Sequence, residues 1–318
     1  MKKVKTTICT LAVIMFCSFG VLSLHAAILK GSIYMTLPWG SQPGQAGRFI
    51  PPPKGDGYPS GPIGFALDSQ GNVYLADIFN HRIQRMDKTT MHAHVIQSFE
   101  KESSLTGLDV LGDNVYAIGC FGKAGNDRTS KLLVLGTNGE SSNEFDLDRL
   151  GIQSPQDIQV QDDQHLLVAD NRSLKTSRLE PSWKIVETIV DKKLFWLRSR
   201  GRYHFIVNRD KTTVTTPEGK KLAEYEGTNE IVGVDSRQIL YVLGPAKKQT
   251  SDIWLMGLSP VGSESFRIQI TQRNDALLLD PKRFWEIRVA RVGPDNAIYV
   301  MGDPEDDQFR IYRYEIKK

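Results

Sequence analysis

Cysteine is almost missing from this chain. Three of the 318 residues are cysteine: Cys9 and Cys17 lie within the first 26 residues, and Cys120 stands alone in the rest. One cysteine cannot form an intramolecular disulfide, so the folded domain must be stabilised by its hydrophobic core. The sequence also lacks a CxxC pair, a glycine-rich phosphate loop and a nucleophile elbow, the sequence signals of redox, nucleotide-dependent and serine-hydrolase chemistry.

Net charge is also small. The whole chain carries +3, and residues 1–26 contribute Lys2, Lys3 and Lys5 with no acidic residue, which leaves 3 − 3 = 0 for the remainder. A neutral domain has no overall electrostatic attraction to nucleic acid or to acidic membranes. We therefore predict no nucleic-acid partner.

Residues 1–26 have the pattern of a secretory signal peptide. A basic start is followed by a mostly apolar run from Ile8 to Leu24 and by small residues at Ala26 and Ala27. A retained membrane anchor is the alternative, although polar residues interrupt the run and its length is marginal for a span. We predict cleavage, a secreted or periplasmic protein without a remaining membrane span, and a single domain over residues 27–318.

The stretch 64–87 reads as three short strands joined by turns. Val73 to Ala76 is β-branched, aromatic and apolar, and Arg82 to Met86 alternates with period two. A sheet this small cannot bury both faces unless similar units stack beside it. The segments 71–77 (GNVYLAD) and 80–83 (NHRI) resemble the NHL repeat. That resemblance implies an all-β, β-propeller fold and names no activity.

Similar units follow along the chain. Equivalent positions in their second strands are Tyr74, Tyr116, Leu167, Phe205, Tyr241 and Tyr299, which predicts a six-bladed β-propeller. The last unit has three strands before the C-terminus, so its outer edge would be unpaired. We predict that an N-terminal strand, Ser32 to Leu37, pairs with the last blade and closes the ring.

The loops between second and third strands and the crossovers between blades lie on the same face of such a propeller. The Pro- and Gly-rich loop 38–62 is expected on this channel face, and loops on a rigid scaffold commonly carry binding residues. The candidate ligand-binding residues are Trp39, Arg48, Tyr58, Asp77, Asn80, His81, Asp170 and Asn171. Asp77 and Asn80 match the repeat, so they could instead support its turns, and the aromatic residues of the loop could instead plug the channel.

Signals for a metal or a catalytic group are weak. His92 and His94 are two residues apart without a third ligand, and the carboxylates of 303–307 suit Ca²⁺ but lack the spacing of the helix–loop–helix calcium motif. Cys120 could act as a nucleophile with His81 as its base, or be an inert buried thiol. We predict no catalytic residue and no resident cofactor or metal, with Ca²⁺ the cation that the acidic loop would suit.

Three functions remain open at this stage. The preferred one is a monomeric, non-catalytic module that binds a protein, peptide or glycan through the channel face. The alternative is a propeller hydrolase or lyase, similar to lactonases, with a divalent cation in the channel. Its candidate carboxylates are Asp68, Asp109, Asp157 and Asp235, whose strand ends are expected on the opposite face. The third is a component of an exported redox or transport assembly.

Overall fold

The computed structural model describes residues 27–29, 31–53, 59–122, 128–139, 142–160, 165–170, 172–173, 175–190, 204–208, 211–216, 219–226, 230–245, 253–259, 264–270, 290–302 and 306–316. The predicted signal segment 1–26 and the candidate residues Tyr58 and Asn171 lie outside these ranges. The helices of the described part are two single 3-10 turns, Ile78–Asn80 and Asp148–Leu150, and no helix there has the length and hydropathy of a membrane span.

Two N-terminal strands, β1 (Ala27–Leu29) and β2 (Ser32–Leu37), precede a series of small antiparallel sheets, which we call blades A to F in chain order. Blade A contains β3 (Phe65–Leu67), β4 (Val73–Asp77), β5 (Arg82–Met86) and β6 (Ala93–Ser98). Blade B contains β7 (Ser104–Leu111), β8 (Asn114–Phe121), β9 (Thr129–Gly136) and β10 (Ser142–Asp146). Blade C contains β11 (Pro155–Val160), β12 (Leu166–Asp170), β13 (Lys175–Leu179) and β14 (Ile185–Val190).

The remaining three sheets complete the series. Blade D contains β15 (His204–Asn208), β16 (Lys211–Thr215) and β17 (Lys221–Glu226). Blade E contains β18 (Glu230–Val234), β19 (Leu240–Pro245), β20 (Ile253–Leu258) and β21 (Glu264–Ile270), with β1 added in parallel to β21. Blade F contains β22 (Ala290–Val292), β23 (Ile298–Met301) and β24 (Phe309–Tyr314), with β2 beside β24.

The hydrophobic core lies between neighbouring blades. Along β8, Val115 and Ala117 pack in the cluster shared with blade A, whereas Tyr116 and Ile118 pack in the cluster shared with blade C. Successive side chains of a strand point to opposite faces, so burying both faces requires the continuous apolar run seen in the sequence. This stacking of sheets on both sides confirms the predicted all-β β-propeller.

The predicted number of blades differs from what the structure describes. Blades A, B, C, E and F have four or more strands, so the count of complete blades is five rather than six. Blade D has three strands among the described residues. The fourth strand expected for it, at residues 194–197, falls outside the described ranges.

Ring closure by the N-terminal strand is confirmed. β2 runs antiparallel to β24, with Ile33 opposite Tyr312 and Leu37 opposite Phe309. Met35 and Leu37 of β2 are buried in the core beside Ile311. The pairing satisfies the outer edge of blade F with a distant part of the chain: Ser32 Oγ donates to the Arg313 carbonyl across a separation of 281 residues.

The register of this closure predicts a specific cross-link. In a Cys120→Ser background, Thr36→Cys with Arg310→Cys should form a disulfide on mild oxidation, because these residues are opposite each other and their Cα atoms lie within the roughly 4.4–6.8 Å that a disulfide needs. Thr36→Cys with Tyr312→Cys, two residues out of register, should not. Mass spectrometry after proteolysis measures both, and equal cross-linking of the two pairs would contradict the pairing.

Candidate functional site

The described part of loop 38–62 lies across the ends of β4 and β24. Its first half is folded back on itself by a bridge between Trp39 and Ala46, and a second bridge joins Phe49 to Ser60. The Phe49 and Ser60 backbones exchange two hydrogen bonds of 2.8 and 2.9 Å. The segment is therefore a defined structure on the surface of blade A.

A buried carboxylate anchors this loop. Asp77, at the end of β4, is fully buried, and its Oδ1 accepts a hydrogen bond of 2.9 Å from the Gly47 N–H. Its Oδ2 accepts hydrogen bonds from Asn80 Nδ2 (2.8 Å), Arg82 Nε (3.1 Å) and Gln84 Nε2 (3.1 Å). Burial raises the pKa of this carboxyl, and the hydrogen bonds from Asn80, Gly47 and Arg82 act against that rise.

The neighbouring side chains bind the loop backbone. The Arg82 guanidinium donates to the carbonyl oxygens of Ser41 (2.9 Å), Gln42 (2.8 Å) and Gln45 (2.8 Å). Gln84 Nε2 donates to the same Gln45 oxygen at 2.7 Å. Arg82 is 5% exposed, so these hydrogen bonds are shielded from water and hold the loop firmly.

Gly47 allows the loop to approach this closely. A Cβ on Gly47 would lie 2.7 Å from Asp77 Oδ1 and 2.8 Å from Phe79 Cβ. Both distances are shorter than a van der Waals contact, so any larger residue would push the loop away from the carboxylate. A glycine is needed here for close backbone approach.

Asp170 has the equivalent place and role in blade C. It ends β12, is 4% exposed, and accepts hydrogen bonds from the Ser154 N–H (2.8 Å) and from Ser173 Oγ (2.6 Å). Ser154 belongs to the crossover that enters blade C, as Gly47 belongs to the crossover that enters blade A. In blades A and C, the aspartate that ends the second strand thus ties the incoming crossover to that strand.

An exposed surface remains beside these anchors. We call Trp39, Arg48, Phe49, Ile50 and Phe79 the aromatic patch. Arg48 Cζ lies 5.0 Å from the Trp39 ring centroid, and Phe49 stacks on Phe79 with centroids 6.2 Å apart and an interplanar angle of 14°. Phe49 and Ile50 are 43% and 53% exposed.

Residues of blade F help to hold the aromatic patch in place. Trp39 Nε1 and Arg48 Nη1 both donate to the Asp306 carbonyl oxygen, at 2.8 and 3.1 Å. The Trp39 ring also meets Phe309 edge to face, with centroids 5.8 Å apart. The patch therefore bridges the first and last blades beside the ring closure.

His81 lies beside the anchored loop with an unusual backbone. It is half-buried and ends the 3-10 turn Ile78–Asn80 in the left-handed region, with φ of 51°. Its N–H donates to the Ile78 carbonyl and its own carbonyl accepts from the Phe99 N–H at 2.7 Å. These hydrogen bonds hold the His81 backbone at the end of the 3-10 turn.

A second polar site lies on the opposite face of the propeller, where the inner strands of five blades end. Arg291 of β22 reaches across to blades A and B. Its Nε donates to the Phe65 carbonyl oxygen at 2.7 Å, a terminal nitrogen donates to the Leu108 carbonyl, and Nη1 lies 3.4 Å from Asp109 Oδ1. Asp109 Oδ2 accepts from the Val160 N–H of blade C at 2.8 Å. Four blades meet in this network.

The sequence patterns do not single out Arg291. The inner strand that they predict for the last unit covers residues 287–290, of which 287–289 lie outside the described ranges, and the described strand β22 runs from Ala290 to Val292. A single arginine between apolar residues in an inner strand is the available signal, but nothing in the local sequence indicates a partner 182 residues away.

Two of the carboxylates proposed as ligands of a channel cation, Asp68 and Asp235, stabilise turns. Asp68 Oδ1 accepts from the Gln70 and Asn72 N–H groups, and Asp235 Oδ1 likewise accepts from Arg237 and Ile239, so both cap turns. Asp235 Oδ2 accepts from the Tyr241 hydroxyl at 2.9 Å. Burial, followed by this hydrogen bond, raises the pKa of Tyr241 to about 12.

The remaining candidates for a metal site or a catalytic group are the histidine pair, the acidic loop and Cys120. Over the described residues, no three His, Cys, Asp or Glu side chains gather as metal ligands would. His92 and His94 are exposed, and Arg310 pairs with Asp306 and Asp307 of the acidic loop. Cys120 Sγ lies 3.8 Å from Ser130 Oγ, which in turn donates to the Gln153 carbonyl.

The anchor at Asp77 gives a stability prediction. Asp77→Asn should lower the free energy of unfolding by about 3–5 kcal/mol, because it leaves the buried Arg82 guanidinium without its carboxylate. Asp113→Asn, which removes the same charge from an exposed turn, should change it by less than about 0.5 kcal/mol. Urea denaturation measures both, and equal midpoints would rule out the anchoring role.

The chain was also compared with known proteins. No protein-family model matches it, and no curated protein sequence does. The resemblance to the NHL repeat therefore depends on residues 71–77 and 80–83 alone. Among solved structures, the PQQ-bound form of aldose sugar dehydrogenase from Streptomyces coelicolor is 13% identical, with 92% of this chain and 100% of that chain covered and a TM-score of 0.53.

Two further structures are similar to this chain. A proposed oxidoreductase (glucose dehydrogenase) from Thermus thermophilus is 16% identical, with 80% and 96% of the two chains covered and a TM-score of 0.50. Virginiamycin B lyase from Staphylococcus aureus is 12% identical, with coverage of 80% and 95% and a TM-score of 0.48. At identities this low, the two dehydrogenase matches, with TM-scores of 0.53 and 0.50, show a common fold alone, and the chain is a β-propeller.

Proposed function

We propose that this chain is an exported, non-catalytic binding module that uses its channel face to bind a peptide segment of another protein. The observation that carries the proposal is the exposure of Phe49 and Ile50 on a loop whose backbone is held by the buried Asp77–Arg82 pair. The proposal includes export through cleavage of residues 1–26, a monomer, and blade D as the sixth, NHL-like blade.

The anchored loop favours binding because it is already ordered. A flexible loop loses conformational entropy when it binds, and this loss weakens the complex. Here Arg82, Gln84 and Asp77 fix the loop backbone with buried hydrogen bonds, so exposed apolar side chains are presented in one arrangement. Contiguous apolar groups exposed on a polar surface mark interaction sites more often than isolated ones do.

The composition of the patch favours a peptide over a glycan. Phe49, Phe79 and Ile50 offer an apolar surface, and aromatic residues and arginine are enriched at protein interfaces. Arg48 adds a positive charge at the edge of that surface, which suits a carboxylate beside an apolar or aromatic side chain. In this proposal Trp39, Arg48 and His81 border the ligand, whereas Asp77, Asn80 and Asp170 support the loops. The candidates Tyr58 and Asn171 lie outside the described residues.

The hydrolase or lyase alternative has less support. Its candidate carboxylates Asp68 and Asp235 each cap a turn and accept a tyrosine hydroxyl, and Asp109 is engaged by Arg291. These contacts account for three of the four candidate carboxylates as structural groups, and the fourth, Asp157, is buried in β11. The binding module is therefore the function that the geometry favours.

A selection experiment tests the proposal. Residues 27–318 would be used to select binders from a phage-displayed random peptide library, and the peptides would be resynthesised for calorimetry. Phe49→Ser with Ile50→Ser should weaken their binding at least about tenfold, since about 1.4 kcal/mol of lost apolar contact corresponds to that factor.

The matched control removes a similar exposed apolar side chain elsewhere. Val186, on the outer strand of blade C, is 49% exposed, and Val186→Ser should leave the affinities unchanged. Failure to select any peptide, or equal effects of the two variants, would refute the channel-face module. Binding of a glycan array that is lost in the Phe49/Ile50 variant would retain the module and replace the peptide as its ligand.

A further inference from the structure

The anchored loop has a strand edge that is open at Ile50. Phe49 and Ser60 form an antiparallel bridge, in which the Phe49 N–H donates to the Ser60 carbonyl and the Ser60 N–H donates to the Phe49 carbonyl. Only alternate residues of an antiparallel pair bond to a given neighbour, so the N–H and C=O groups of Ile50 point away from Ser60. Within the described part of the chain, neither group of Ile50 has a hydrogen-bond partner.

The proline run after Ile50 limits this edge to one residue. Pro51, Pro52 and Pro53 have no N–H to donate, and a proline keeps the residue before it out of the helical region, so Ile50 is extended. Ile50 is 53% exposed, and Pro52 and Pro53 are exposed as well. A strand added here therefore finds a backbone donor at Ile50 and none over the next three residues, which fixes its register.

The position of the edge is set before a ligand binds. The Gly47 N–H donates to the buried Asp77 carboxylate at 2.9 Å, and Phe49 stacks on Phe79 with ring centroids 6.2 Å apart. The residues on the N-terminal side of Ile50 are thus held by the scaffold of blade A. Pairing with an edge that is already ordered costs less conformational entropy than pairing with a free segment.

We propose that the peptide ligand binds in an extended conformation as an added antiparallel strand, with the N–H and C=O of one of its residues bonded to the C=O and N–H of Ile50. This inference rests on the proposed function, because it concerns the same peptide and names how its backbone is recognised. Directly opposite residues of antiparallel strands place their side chains on one face. The peptide residue opposite Ile50 is therefore apolar, either β-branched or aromatic.

An N-methyl scan of the tightest selected peptide tests the backbone contact. Each methylation removes one N–H and leaves the side chains unchanged, and calorimetry measures binding to the 27–318 protein. One position should lose at least about tenfold in affinity, because its N–H donates to the Ile50 carbonyl. Methylation of the residue on either side, whose N–H points away from the loop, should change the affinity by less than about threefold.

Two variants test the same contact from the protein side. Ile50→Pro removes the N–H donor and should weaken binding at least about tenfold. Phe49 would then precede a proline, and it is already extended in its bridge, so an unchanged thermal midpoint is expected. Ile50→Val keeps the N–H and a β-branched side chain, and it should bind within about threefold of the original protein.

Amide hydrogen exchange measured by NMR shows whether the Ile50 N–H is the group that pairs. In the free protein this N–H should exchange faster than the Phe49 N–H, which is bonded to Ser60. Saturating peptide should slow the Ile50 exchange at least about tenfold.

The outcomes separate this inference from the proposed function. If peptides are selected and depend on Phe49 and Ile50, but every N-methylation is tolerated or the Ile50 amide stays unprotected, the binding module stands and the added strand is wrong. A peptide whose affinity rises when prolines replace its residues is held as a polyproline helix, which also overturns the added strand. If no peptide is selected, the proposed function and this inference fail together.

Discussion

The antiparallel pairing of β2 with β24 is the contact on which the ring depends. In a propeller each sheet needs a neighbouring sheet on both of its faces. The first and last blades become neighbours when β2 pairs with β24 and closes the ring. Here Leu37 lies opposite Phe309, and Trp39, immediately beyond β2, donates to the Asp306 carbonyl. The same strand that protects the edge of blade F thereby delivers the loop that forms the aromatic patch.

The residues that make the repeat recognisable mostly hold loops. Asp77 and Asp170 end the second strands of blades A and C, and each accepts a hydrogen bond from the backbone of the crossover that enters its own blade. A short carboxylate side chain at a strand end can reach such a backbone N–H without disturbing the sheet. The aspartates of the repeat motif thus stabilise the fold. The surface that remains for binding consists of residues that the motif does not include, such as Arg48, Phe49 and Ile50.

The two faces of the propeller differ in chemistry. On the face where the second strands end, an apolar, exposed surface rests on buried hydrogen bonds of the Asp77 cluster. On the other, Arg291 and Asp109 join the inner strands of four blades around a small cavity. An arginine can join several blades in this way because its guanidinium has five donors in a rigid plane, so one side chain can satisfy carbonyl groups on blades A and B together.

Local sequence determined most of the strands, the turn after Asp68, and the need for a closing strand, because period-two burial and an unpaired sheet edge are consequences of backbone geometry. It did not determine the number of complete blades, which is five in the described part of the chain, where blade D has three strands. Nor did it show how the oxygens of Asp77 are shared among Gly47, Asn80, Arg82 and Gln84, or that Arg291 meets Asp109. Those contacts exist because closing the ring brings distant segments within hydrogen-bond distance, and no short-range pattern records which distant atoms will meet.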